Sequence, residues 1–168
     1  MKDRGEKMKA QKTNVMRLLE QKKIEYIPHE YPHGDEAVDG RTVAAVCGQD
    51  PERVFKTLVA RGASKGIYVF VIPVTGELDL KKAAKASGEK SIAMIHVNEI
   101  TPLTGYVRGG CSPVGMRKLY PTFFDISAKS KDTIMVSAGK IGYQVELSPD
   151  LLIMMTSGKY AELVGANE

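Results

Sequence analysis

Only two cysteines, Cys47 and Cys111, occur in the 168 residues. Two thiols do not make a disulfide framework, so both are expected reduced. No stretch approaches the about 18 apolar residues of a membrane-spanning helix. The N-terminus is polar and lacks an apolar core segment, so no secretory signal is read and a cytoplasmic location is expected. Neither GxxxxGK[ST] nor GxGxxG is present, which removes both common nucleotide fingerprints. Histidine is scarce too. His29 and His33 are four apart, but Pro32 between them disfavours a shared helical face, and no second ligand cluster accompanies them. No metal site and no cofactor are expected. No internal repeat, linker or low-complexity segment is found beyond the N-terminal tail.

Net charge is low where it would matter. The chain is formally +4 with a pI near 9.0. Lys2, Arg4, Lys7, Lys9 and Lys12 against Asp3 and Glu6 put +3 of that in residues 1–12. The remaining +1 is a weak electrostatic footprint for independent nucleic-acid binding. Residues 1–12 read as a mobile basic tail and 13–168 as one domain. The content, 43% hydrophobic and 26% charged, suits a soluble globular core.

The apolar pattern predicts an opening helix capped by Thr13 or Asn14, with Val15, Leu18 and Leu19 on its narrow apolar stripe. Ile24 to Tyr31, flanked by prolines, reads as an edge strand. A short helix follows over 41–48, closed by Gly48, and Asp50-Pro51-Glu52 starts another. Residues 54–60 and 67–74 form a hairpin, and the second strand is apolar enough to be buried on both faces. A helix is expected over 79–87, a short strand over 91–95 and one helical turn over 96–100, before Pro102. Strands follow over 119–126, 134–137 and 143–147. A helix over 151–156 ends at Gly158, and 160–164 forms a last strand. With no regular βαβ repeat, the expected class is α+β: a mixed, curved sheet, approaching a barrel, with peripheral helices.

Two features carry chemistry. Gly105-Tyr106-Val107-Arg108-Gly109-Gly110-Cys111-Ser112-Pro113-Val114-Gly115 holds four glycines and a proline in eleven residues. Such a loop can be a tight turn, or it can bring backbone N–H groups to an anion or a developing oxyanion. Lys56 alternates with apolar neighbours on a central-looking strand. It either faces solvent or offers a cation and three donors to a pocket.

Val54-Phe55-Lys56-Thr57-Leu58, Gly76-Glu77-Leu78-Asp79-Leu80-Lys81-Lys82-Ala83-Ala84-Lys85-Ala86, the Gly105–Gly115 stretch and Val136-Ser137-Ala138-Gly139-Lys140 together resemble the YbaK/EbsC group of aminoacyl-tRNA editing domains. The resemblance runs from about Val15 to Val164. It implies a curved mixed sheet and the removal in trans of cysteine wrongly attached to tRNA(Pro). It also implies aminoacylated tRNA as partner, with tRNA(Cys) as a second carrier and prolyl-tRNA synthetase beside it, and a monomer or weak homo-oligomer. Lys56, Gly109 and Gly110 take the catalytic positions. Tyr31, Thr57, Cys111, Ser112, Pro113, Ser137, Gly139 and Lys140 take substrate-binding ones. The chain departs from the family pattern at Ala37-Val38-Asp39 and at Gln144, which bear on the choice of amino acid.

Ser112 and Ser137 have no base signalled in sequence, and Cys111 reads as a small loop residue before it reads as a nucleophile. The resemblance implies substrate assistance instead, in which the cysteinyl thiol attacks its own ester and leaves as a thiolactone. Hydrolysis of Ala-tRNA(Pro) by water, and a non-catalytic module binding an aminoacyl-tRNA end or a nucleotide, are the alternatives.

Overall fold

The structure, a computed structural model, describes residues 12–165. The tail expected over 1–12 lies outside them except for Lys12, whose ammonium pairs with Glu20 at 2.8 Å. In chain order the elements are α1 (Asn14–Gln21), β1 (Ile27–Glu30), α2 (Gly40–Val46), β2 (Phe55–Gly62), β3 (Ile67–Pro73), α3 (Leu80–Ser87), β4 (Ile92–Met94), α4 (Ile100–Thr104), β5 (Thr122–Asp125), β6 (Ile134–Ser137), β7 (Tyr143–Leu147), α5 (Pro149–Thr156) and β8 (Lys159–Ala161).

Two sheets form. One has the order β1-β7-β6 and is antiparallel; the other has the order β4-β2-β3-β5-β8 and is mixed, with β3–β5 and β5–β8 parallel. A parallel bridge between Val54 and Met135 joins them. The combined surface curves around the core without closing into a barrel.

Alternation on β3 explains the core. Val69 and Val71 pack with Val15, Leu19, Phe55 and Phe124, while Phe70 and Ile72 pack with Ala60, Ala83 and Leu163. The strand is therefore buried on both faces, as its apolar run predicts. Each of the fully buried Phe70, Phe124, Leu19 and Ile72 contributes about 1.5–3 kcal/mol by leaving water.

Local signals act as read at several ends. The Thr13 hydroxyl accepts the Met16 N–H at 3.3 Å, and Asp79 caps α3 through the N–H groups of Lys81 and Lys82. Pro28 sits on β1, an edge strand, where a missing donor costs little. Other boundaries differ. Pro102 lies inside the first turn of α4, where its missing N–H would have no helical partner anyway. The turn that closes α5 is made by Ser157 at φ 54°, ahead of Gly158. Val15, Met16 and Leu19 are the buried residues of α1, because its inner face turns one position from the expected stripe.

One tie has no sequence signal. The buried Asp125 carboxylate accepts the N–H groups of Leu163 at 3.0 Å, Val164 at 3.2 Å and Ser127 at 3.1 Å. It fastens the C-terminal segment to the end of β5.

Candidate active site

The cleft exists because β2 changes neighbours. Its start is bridged to β6 through Val54, and its end pairs with β4 at Ala60–Gly62. Between these, Lys56, Thr57 and Leu58 pair only with β3, through Ile72, Val71 and Phe70. The sheet gapes along this open edge and leaves a cleft of about 560 Å³. That volume is in the range of small-ligand sites.

Several segments close it. Ala37, Val38, Asp39 and Gly40 come from the loop entering α2, and Met94, Ile95, Val97 and Ile100 from the segment after β4. Arg108, Gly109 and Cys111 come from the glycine-rich loop. Ser137 and Gln144 face each other across β6 and β7 and supply a polar wall, beside Tyr31. So the structure brings Lys56, Thr57, Tyr31, Gly109, Cys111 and Ser137 to one place from four chain segments. The Lys56 side chain has no hydrogen bond or ion pair with another described residue. Tyr31 is only 3% exposed, and its ring meets His33 edge-on at 6.4 Å between centroids.

The glycines do two separate jobs. Gly109 has φ +88°, and a Cβ on it would stand 2.6 Å from the Ala37 Cβ. Glycine is required both by the dihedral and by the close approach of the two loops. Gly110 rests on the turn after β6, where a Cβ would meet the Ile141 nitrogen at 3.0 Å.

Five expected site residues do not line the cleft. The Gly110 N–H is engaged by the Val107 carbonyl at 2.9 Å, so it supports the loop instead of offering a donor to a ligand. Ser112 is fully buried, and its hydroxyl accepts the Val114 N–H at 3.2 Å. Pro113 follows it outside the lining, while Gly139 donates its N–H to the Ser137 hydroxyl at 3.1 Å and so braces a residue that does line the cleft. Lys140 is exposed, with Nζ 6.0 Å from the Tyr143 ring centroid. These positions build the frame because the loop and turn pack backbone to backbone.

Cys111 lines the cleft, but burial pushes its thiol up to about 11, partly opposed by the Thr104 hydroxyl. A protonated thiol is a poor nucleophile at neutral pH. Two side-chain oxygens on the walls, Thr57 Oγ1 and Gln144 Oε1, are buried with no hydrogen-bond partner among the described residues. Arg108 was legible only as part of the glycine-rich stretch, and the apolar wall of Met94, Val97 and Ile100 carried no signal at all.

A second groove of about 650 Å³ lies beside β1 and contains Glu20, Glu25, Tyr26 and Glu146. It is larger and more open, yet none of the residues brought together above reaches it. Convergent polar groups, not size, mark the β2 cleft as the site.

Fold and cleft together define a curved mixed-sheet α+β domain with one wall of backbone loop and one of lysine-bearing strand. The sequence model of the aminoacyl-tRNA editing domain matches residues 35–154, and the chain belongs to that family. It is 45% identical over 159 residues to EbsC of Enterococcus faecalis, named as a candidate Cys-tRNA(Pro)/Cys-tRNA(Cys) deacylase, covering 95% of this chain and 97% of that one. It is 28% identical over 106 residues to YwhH of Bacillus subtilis, an uncharacterised protein, covering 63% of this chain and 67% of that one. The fold matches the crystal structure of a candidate trans-editing enzyme for prolyl-tRNA synthetase with TM-score 0.78 at 24% identity, over 90% of this chain and 95% of that one.

Proposed function

We propose that the chain is a trans-editing deacylase that removes cysteine from tRNA(Pro), with tRNA(Cys) as a second carrier. The observation that carries this is Lys56, whose side chain has no partner among the described residues, on the open edge of β2 and sharing one cleft with Gly109 and Ser137. The near full-length likeness to EbsC supports the substrate class.

The cleft offers no ionised protein nucleophile that the chemistry can use. The cysteinyl thiol of the substrate supplies it. Its sulfur bonds to the ester carbonyl carbon, the bond from that carbon to the ribose 3′-oxygen breaks, and the thiol proton ends on the 3′-oxygen. The products are cysteine thiolactone and free tRNA. Lys56 holds the ester or an adjacent phosphate, and the glycine at 109 lets backbone approach the carbonyl oxygen. A positioned donor of this kind is typically worth roughly 10²–10³ in rate, and an intramolecular thiol gains further from proximity. Prolyl-tRNA synthetase is the partner that delivers the substrate, in the cytoplasm, to a monomer or weak homo-oligomer.

Deacylation of Cys-tRNA(Pro), Ala-tRNA(Pro) and Ser-tRNA(Pro), with the released product identified, tests this. Fast loss of cysteine alone, as thiolactone, is the expected result. Equal rates for the three esters would defeat the thiol step, and no turnover of any would leave a binding module.

A further inference from the structure

Three buried side-chain oxygens have no hydrogen-bond partner among the described residues: Ser127 Oγ, away from the cleft, and Thr57 Oγ1 and Gln144 Oε1, both in residues that line it. Buried side-chain oxygens are normally satisfied. Those of Thr13, Thr104, Ser112, Asp125 and Thr156 all are. Gln144 is 7% exposed, sits in the middle strand of its sheet, and lies directly opposite Ser137 on one side and His29 on the other. Thr57 comes from the other sheet, on the part of β2 that has no neighbour on its open side. Two strands from two sheets thus contribute residues to the walls of one cleft whose acceptor oxygens are buried just behind its surface.

The opposite chemistry is also present. Lys56 carries only donors and suits the oxygens of an ester or phosphate. Gln144 Oε1 accepts only, and Thr57 Oγ1 accepts as well as donates, so together they suit a group that donates several hydrogen bonds. On the proposed substrate the one such group near the ester is the α-ammonium of the aminoacyl moiety.

We infer that Gln144 and Thr57 form the subsite for the substrate's free α-ammonium group. This rests on the deacylase reading and narrows it to esters of amino acids with an unblocked amine. The neutral amide at 144 recognises the group by hydrogen bonding without a full counter-charge. The cleft also carries apolar residues, Met94, Val97 and Ile100, that offer the amine no acceptor.

The test compares Cys-tRNA(Pro) with 3-mercaptopropionyl-tRNA(Pro), which keeps thiol and ester and lacks only the amine. Wild type is expected to favour the cysteinyl ester by about 10- to 100-fold in kcat/KM, the worth of hydrogen bonds to a charged group. Gln144→Met and Thr57→Val should lower kcat/KM on the cysteinyl ester, chiefly through KM, and change it less than about threefold on the desamino ester. Gln144→Glu adds a counter-charge at constant shape and should widen the preference for the amine. An equal loss on both esters, or no preference in wild type, overturns the subsite while leaving the deacylase intact. Absence of turnover on either ester by wild type overturns the deacylase reading first, and binding of the two tRNAs then decides the subsite by the same preference.

Discussion

His29 Nε2 lies 2.8 Å from Glu146 Oε1, joining the edge strand β1 to β7 through side chains as well as backbone. The same carboxylate accepts the Thr133 hydroxyl at 2.6 Å. Burial alone would raise the Glu146 carboxyl. The Thr133 hydroxyl and His29 outweigh it and hold the group below the usual 4.5. A carboxyl lowered by folding contributes stability above its unfolded value and loses it as pH falls through the folded value. Thermal unfolding followed from pH 6 downward should show Tm falling once pH passes below about 4.5. Glu146→Gln should make that part of the profile flatter and cost about 1 kcal/mol at neutral pH.

Lys56→Ala should lower the single-turnover rate of Cys-tRNA(Pro) deacylation by roughly 10²–10³. The Lys56 side chain forms no hydrogen bond or ion pair among the described residues, so urea unfolding should move by less than about 0.5 kcal/mol. A large stability loss together with the rate would show that the lysine holds the strand instead of the ligand.

Cys111→Ala should keep activity within about threefold. With its thiol pushed up to about 11 by burial, roughly one molecule in 10⁴ carries the thiolate at pH 7. Alkylation of Cys111, read by mass spectrometry, should be slow at neutral pH and accelerate steadily toward pH 10.

Gly109→Ala meets two obstacles at once: a φ of +88° and an Ala37 Cβ at 2.6 Å. The dihedral alone costs about 1–2 kcal/mol. The two loops must also part, so the urea midpoint and the deacylation rate should fall together. Gly48→Ala has a comparable φ of +68° with open space around it and should lower only the midpoint.

The order of elements could be read in the sequence because local patterns set it. Continuous apolar residues mark β3, Asp79 and Gly88 bound α3, and alternation marks β7. The motif residues Lys56, Gly109 and Ser137 were legible through family likeness, and all three reach the cleft. Lys56 alone left solvent and pocket both open, since a strand's alternation does not say what lies beside it.

What needed the assembled chain was everything fixed by distant contacts. The gap beside β2 arises only when β6 and β4 take opposite ends of one strand. Gly110 and Ser112 turn from expected ligand contacts into loop supports because their polar groups close bonds within the loop. Gln144 and Thr57, 87 residues apart by their numbers, come to line one cleft only through the curvature that joins two sheets. Hydrophobic periodicity is a property of neighbours along the chain, and it names the elements. The site depends on which strand ends are left unpaired, and that follows from packing the whole core.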